Sequence, residues 1–341
     1  MRAVLQHGIR DLRLGELPEP RPGPGEVLLR TRAVTVCGSD LHAWAEGSIG
    51  GVKWDGPFVP GHEVAATVED PNGSAFRPGA PVTVDPSAPC QACDMCAMGN
   101  YHLCRHVRFL DLPPVHGAMQ ELFAWPATQV FPLPERLDLT EAPLIEPLTV
   151  AVHATELSAG LPGAVAAVVG CGAIGLLTLQ MARLRGAETI FAADLIPERL
   201  AVAQSLGADA LFPAGSGDLV DRVLRATEGR GVDVAFEAAG PGEALQECIG
   251  MARPAGQVIV IGVPSAEEYV LSAPPLRRHE LTLRFVRRQN GNFPEAISLV
   301  GEGRISLGPL LTHRFPPERA REAFALAERR GDGAIRVAVT F

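Results

Sequence analysis

A thiol, an imidazole and two carboxylates stand out before any element is assigned. Cys37 lies in Val36-Cys37-Gly38-Ser39-Asp40-Leu41-His42, His62 and Glu63 are adjacent after Gly61, and Glu146 lies in Leu144-Ile145-Glu146-Pro147-Leu148. One thiolate, one imidazole and one or two carboxylates form the ligand set of a catalytic Zn²⁺ with a position left open. Ser39 and His42 are spaced so that a hydroxyl and an imidazole share one local turn with Cys37. They offer a route by which the proton of a zinc-activated alcohol leaves a closed site. Without a metal, Ser39 reads as a helix cap and His42 as an ordinary helix histidine. Glu146 has apolar neighbours, and a carboxylate in such company needs a partner, for which a metal or its water qualifies.

Cys90, Cys93, Cys96 and Cys104 give the spacing C-x2-C-x2-C-x7-C, four of the seven cysteines within fifteen residues. Four thiolates in so short a loop match a tetrahedral site with every position filled, hence a structural Zn²⁺. Iron–sulfur ligation uses similar spacings, but Arg105 stands where a proline would follow the last cysteine. A redox dithiol needs only two cysteines. A nucleic-acid zinc module needs basic surroundings, whereas Asp94 lies inside this loop and Arg105 and Arg108 after it.

A second chemistry begins at Gly170-Cys171-Gly172-Ala173-Ile174-Gly175. The β-branched run Ala164–Val169 precedes it, a helical stretch to about Arg185 follows, and Thr189–Asp194 reads as a second strand. Glycines at 170, 172 and 175 permit a tight turn and close approach of a pyrophosphate to a helix N-terminus. Asp194 stands nineteen residues after Gly175 at a strand end, where a carboxylate bonds adenosine ribose hydroxyls and repels a 2′-phosphate. That favours NAD over NADP, although Arg199 could instead neutralise a phosphate. Gly262 and Val263 end a later strand and are expected against the nicotinamide half. Arg287 and Arg288 could reach cofactor or substrate, or form a solvated pair of charges. A Lewis-acid metal beside a nicotinamide site implies alcohol oxidation by hydride transfer.

The elements needed to hold these groups are of two kinds. Residues up to about 35 read as short strands, with Arg2–Leu5 and Val27–Val34 the clearest and the proline-rich stretch 17–25 excluded from helix. After Glu146 strands and helices alternate, with strands at Val232–Phe236, Gln257–Gly262 and Leu281–Phe285, as in a six-stranded doubly wound sheet. Helices over 294–302 and 317–329 and a strand over 334–341 then return toward the first part. A length of 341 residues suits about two domains, and a net charge of −9 argues against broad contact with nucleic acid or anionic membrane. Ser158–Ala182 carries no charge and is long enough to span a bilayer, but Pro162 and five glycines divide it into strand, turn and helix. The N-terminus lacks the apolar run of a signal peptide, and the chain is expected in the cytoplasm with its cysteines reduced.

Taken together, Cys37–His42, Gly61-His62-Glu63, the four-cysteine loop, Ile145–Leu148 with Val150–Ala154, and Leu311–Phe315 resemble the medium-chain zinc-dependent alcohol dehydrogenases along the whole chain. The sorbitol (polyol) dehydrogenase branch is the most similar. The resemblance implies an α/β protein, with a GroES-like β-rich catalytic domain and a doubly wound Rossmann domain. The boundaries expected are 1–148 for the catalytic domain with its zinc lobe at about 88–108, 149–286 for NAD binding, and 287–341 for the return. It implies Cys37, His62 and Glu63 as zinc ligands, with Glu146 approaching the metal directly or through water where other alcohol dehydrogenases place a second Cys. Ile174, Asp194 and Arg199 match the branch's NAD contacts, and Arg288 an arginine placed near substrate. Ala43 stands where the branch has Tyr, and Gln289 where it has a second aromatic, which puts sorbitol itself in question. The expected function is NAD-linked, zinc-dependent oxidation of a polyol or other secondary alcohol to the ketone by a homodimer or homotetramer. The alternatives are a threonine or 2,3-diol dehydrogenase of the same family, or a non-catalytic NAD-binding protein.

Overall fold

The computed structural model describes residues 1–48, 52, 56–266 and 268–341. Contacts divide them into two compact units: Met1–Glu146 with Phe293–Phe341, and Pro147–Asn292. The sequence had put these junctions at 148/149 and 286/287. The first junction instead falls inside the opening turn of the helix Ile145–Leu157, and the second follows the polar run through Asn292.

The first unit is built on the strand Glu26–Thr35. Its even positions are polar or half-exposed and its odd positions buried, until Ala33, Val34 and Thr35 are all covered. It pairs with Glu63–Asp70, Leu122–Pro126 and the C-terminal strand Arg336–Thr340, all antiparallel. Leu311–Phe315 joins the far side of the C-terminal strand in parallel, and Pro81–Val84 and Val130–Pro132 extend the other side. The core under this sheet holds Leu29, Trp44, Leu110, Met119, Trp125 and Phe324. Two facts of register matter for chemistry. Thr35 lies opposite Glu63, and Ala338 lies opposite Thr35. Three segments distant in sequence therefore meet at one end of one strand.

The second unit is a six-stranded all-parallel sheet in the order Ala210–Pro213, Thr189–Asp194, Val165–Val169, Val232–Glu237, Ala252–Val260, Thr282–Phe285. The strand order reverses between Val165–Val169 and Val232–Glu237, and ligands of such sheets bind outside the carboxyl ends of the strands at that point. The uncharged stretch 158–182 is resolved here into a strand and the helix Ala173–Leu184. No described helix is long and apolar enough to cross a membrane.

Candidate active site

Cys37 stands where the buried end of Glu26–Thr35 turns into the helix Gly38–Glu46. Its backbone N–H donates to Asp40 Oδ2 at 2.8 Å, which fixes the start of that helix. His62 and Glu63 enter from the next strand after Gly61, whose φ is +98°. A Cβ at Gly61 would lie 2.6 Å from Val34 Cγ1, so glycine lets His62 and Glu63 approach the central strand. The ligand atoms of Cys37, His62 and Glu63 all lie within 4.8 Å of one another. Soft sulfur, imidazole nitrogen and a carboxylate oxygen in such a cluster suit Zn²⁺. Glu63 Oε1 is buried, makes no hydrogen bond among the described residues and faces the Arg336 guanidinium at 3.2 Å.

Around the cluster lie groups that no motif announced. Thr35 donates its hydroxyl to Glu63 Oε2. Arg336, only 7% exposed, brings Nη2 to 3.2 Å from Glu63 Oε1 and donates from Nη1 to the Val36 carbonyl at 2.7 Å. His62 Nδ1 lies 3.0 Å from Asp111 Oδ2, and the Phe109 ring is 5.4 Å from the imidazole. Burial alone pushes the His62 imidazole down, but Cys37 and the Asp111 and Asp40 carboxylates outweigh it and hold it well above its usual range. Burial and the charge of Asp111 push the Asp40 carboxyl well up. Asp40 had a signal, lying inside the Cys37 motif, whereas Thr35 is brought to Glu63 by strand register alone. Asp111 and Arg336 had none.

Glu146 is 5% exposed, yet its carboxyl does not enter the 4.8 Å cluster. Burial, helped by the charges of Glu63 and Asp85 and opposed by His62 and Arg336, pushes it up to about 8. A folded value near 8 against 4.5 for the unfolded chain means the folded protein keeps a proton that the unfolded chain releases between these values. Stability therefore falls as pH rises across that window and levels off above it. In zinc-stripped protein, Glu146→Gln is expected to stabilise by on the order of a few kcal/mol at pH 8.5 and by little at pH 5. Urea unfolding at the two pH values measures this. Equal gains at both would remove the charge argument.

Ser39 and His42 share the helix Gly38–Glu46, and His42 Nδ1 is 2.9 Å from Glu46 Oε1 one turn on. The four lobe cysteines have their sulfurs mutually within 4.8 Å, with Cys93–Cys96 at 3.6 Å and Cys93–Cys104 at 3.9 Å. A tetrahedron of about 2.3 Å Zn–S bonds has edges of about 3.8 Å, so the four sulfurs fit that ion. The amides of Cys96 and Arg105 hold the Cys93 thiol down to about 6, whereas burial and Cys93 push Cys96 up to about 12. Asp94 and Arg105 brace the lobe through paired hydrogen bonds of 2.9 Å. Tyr101 ties it to Asp85 at 2.8 Å.

In the second unit the turn after Val165–Val169 sits at the strand-order reversal. Gly170 has φ +96°, and a Cβ on Gly175 would lie 1.7 Å from the Gly170 carbonyl oxygen. Gly172 faces open space apart from Arg199 Nη1 at 3.8 Å from where a Cβ would be. Gly175→Ala forces backbone against backbone and is expected to destabilise this unit by about 1–3 kcal/mol or more. It should also weaken NADH binding at least about tenfold. Fluorescence titration and thermal unfolding read both. Unchanged values would disprove the turn's assignment.

Asp194 Oδ2 accepts from the Cys171 N–H at 2.6 Å and Oδ1 from Ile196 N–H at 2.8 Å, which fixes the carboxylate at the strand end. Ile174 lies in the first turn of the following helix, and Arg199, 9% exposed, in the first turn of the next. Gly262 follows the strand Ala252–Val260 and donates to the Glu237 carbonyl at 3.0 Å, and Val263 is 67% exposed. Glu237, which the sequence did not flag, shapes the facing loop by accepting from Ala239 and Gly240 N–H, both at 2.7 Å. Arg288 has φ +57°, and Gln289 beside it is fully buried.

Residues 23–135 match the family model of the alcohol dehydrogenase GroES-like domain, and residues 173–302 that of the zinc-binding dehydrogenase. Sorbitol dehydrogenase of Bacillus subtilis (strain 168) is 34% identical over 99% of this chain and 97% of its own. The chain belongs to the medium-chain zinc-dependent alcohol dehydrogenases, in their sorbitol dehydrogenase branch. Human sorbitol dehydrogenase is 35% identical over 94% of this chain and 91% of its own. Among solved structures, L-idonate 5-dehydrogenase from Escherichia coli superposes with a TM-score of 0.91 at 27% identity, covering 100% of this chain and 98% of that one. As a member of this branch the chain is a zinc- and NAD-dependent oxidoreductase acting on an alcohol.

Proposed function

We propose that the chain oxidises a polyol, or another secondary alcohol, to the ketone through the groups gathered at Cys37. The carrying observation is the cluster of Cys37, His62 and Glu63 within 4.8 Å. When bound, zinc supplies a Lewis acid for the alcohol oxygen and NAD the hydride acceptor. Cys37, His62 and Glu63 hold the metal, and Thr35 and Arg336 hold Glu63. Ser39 accepts the alcohol proton as it releases its own hydroxyl proton toward His42, which Glu46 anchors and which passes it outward. Glu146 stands outside the cluster, which supports contact with the metal through water rather than directly. Cys90, Cys93, Cys96 and Cys104 hold the structural ion.

Gly170, Gly172, Ile174 and Gly175 receive the pyrophosphate, Asp194 the adenosine ribose with Arg199 beside it, and Gly262, Val263 and Arg288 the nicotinamide side. The fixed Asp194 carboxylate favours NAD over NADP. The relatives named for sorbitol and L-idonate support a polyhydroxylated substrate. A panel of polyols, vicinal diols and threonine, followed by NADH absorbance, tests this. Reduction with threonine alone, or with none of them, contradicts it. We further place the chain in the cytoplasm as a homodimer or homotetramer. Exposed Phe285 and Val270 near the Thr282–Phe285 sheet edge support self-association, which sedimentation measures.

A further inference from the structure

We infer that Asp111 is the positioning residue of His62: it accepts the Nδ1 proton, fixes the tautomer and leaves Nε2 to the metal. The inference rests on the assignment of His62 as a zinc ligand. Two carboxylates flank this ring, and the ligand atoms of Asp40, His62 and Asp111 lie within 4.8 Å of one another. Their roles differ. Asp40 uses Oδ2 on the Cys37 backbone N–H at 2.8 Å, a contact made within the start of its own helix. Asp111 Oδ2 is the one that meets His62 Nδ1, at 3.0 Å, with the two side chains 1% and 7% exposed.

The backbone around Asp111 is arranged for this contact. Asp111 has φ +72°, a left-handed conformation costly for a side-chain-bearing residue, though aspartate tolerates it better than most. Leu110, before it, is 1% exposed and donates its N–H to the Pro86 carbonyl at 2.9 Å. Phe109 pairs with Ser87 in the short hairpin that closes the four-cysteine lobe, and its ring lies against the same imidazole. One segment thus supplies both a packing face and a hydrogen-bond acceptor to His62. A ring nitrogen that donates to a carboxylate cannot ligate, so Nε2 is the nitrogen left for the metal shared with Cys37 and Glu63. Partners of this kind raise ligand basicity and orient the ring, and their loss typically costs about 10–100-fold in metal affinity.

The test uses full-length protein loaded with zinc. Long-range ¹H–¹⁵N correlation of histidine-labelled protein, with His62 assigned by comparison with His62→Gln, should show Nδ1 protonated and Nε2 metal-bound. Metal on Nδ1, or an unprotonated Nδ1, overturns the inference without any change at Asp111. Chelator competition should then show Asp111→Ala binding the catalytic-site zinc about 10–100-fold more weakly. Asp111→Asn, still an acceptor but uncharged, should fall between. Retention of the four-cysteine zinc reports that each variant has folded. Wild-type affinity in Asp111→Ala overturns the inference. Unchanged affinity in His62→Gln instead overturns the ligand assignment on which it rests.

Discussion

Cys37→Ser is expected to lower kcat by about a thousandfold or more while NADH binds with nearly unchanged affinity. The substitution removes the only sulfur in the cluster with His62 and Glu63. A serine hydroxyl remains neutral near pH 7 and is a poor replacement for a thiolate toward Zn²⁺. The Lewis acid contributes several kcal/mol to stabilising developing charge, and each 1.4 kcal/mol is a factor of ten in rate. The glycine turn, Asp194 and Glu237 all belong to the other compact unit and keep their hydrogen bonds. Steady-state kinetics with polyol and a fluorescence titration with NADH separate the two effects. Turnover surviving with both metals bound would mean that Cys37 does not serve the reaction.

Cys93→Ser is expected to release the lobe metal and unfold the lobe. Residues 89–107 contain only the single turn Asp94–Ala97 and the 3-10 turn Tyr101–Leu103, and neither Asp94–Ala97 nor its exposed surroundings bury an apolar core. Its side-chain ties include Asp94–Arg105, exposed to solvent, and Tyr101–Asp85. Exposed ion pairs contribute about 1 kcal/mol or less, whereas a structural zinc contributes about 10–16 kcal/mol in small zinc modules. Loss of one thiolate leaves three ligands and an opened site. Zinc per chain should fall by one, the thermal midpoint should fall by at least about 5 °C, and proteases should cut within the lobe. The lobe also carries the hairpin that sets Phe109 and Asp111 against His62, so catalytic-site affinity should weaken with it. An unchanged midpoint with undiminished zinc would show that the loop holds itself.

The second unit was largely legible because a change of hydrophobic period and a glycine turn mark it together. Its missing strand, Ala210–Pro213, is four residues long with a single buried position, too short to show a period. The helix Ala273–Arg278 went unread; it is six residues long and carries Pro274 and Pro275, which are well placed in a first helical turn but mark no period. In the first unit, Leu311–Phe315 was not read as a strand, since it draws its regularity from a partner strand. Cys37, His62, Glu63 and the four lobe cysteines announce themselves by type and spacing. Thr35, Asp111 and Arg336 do not, because register and one strained backbone position bring them to the site. Arg336 bonds the Val36 carbonyl across 300 residues of sequence.

Zinc content per chain, counted in wild type and in Cys37→Ser, tests the central claim most directly. The account predicts two zincs per wild-type chain, one in the variant, and polyol-dependent NAD reduction only in the wild type. A wild type with one zinc and no polyol activity, or a variant that keeps two, would contradict the assignment of Cys37, His62 and Glu63 as the catalytic metal site.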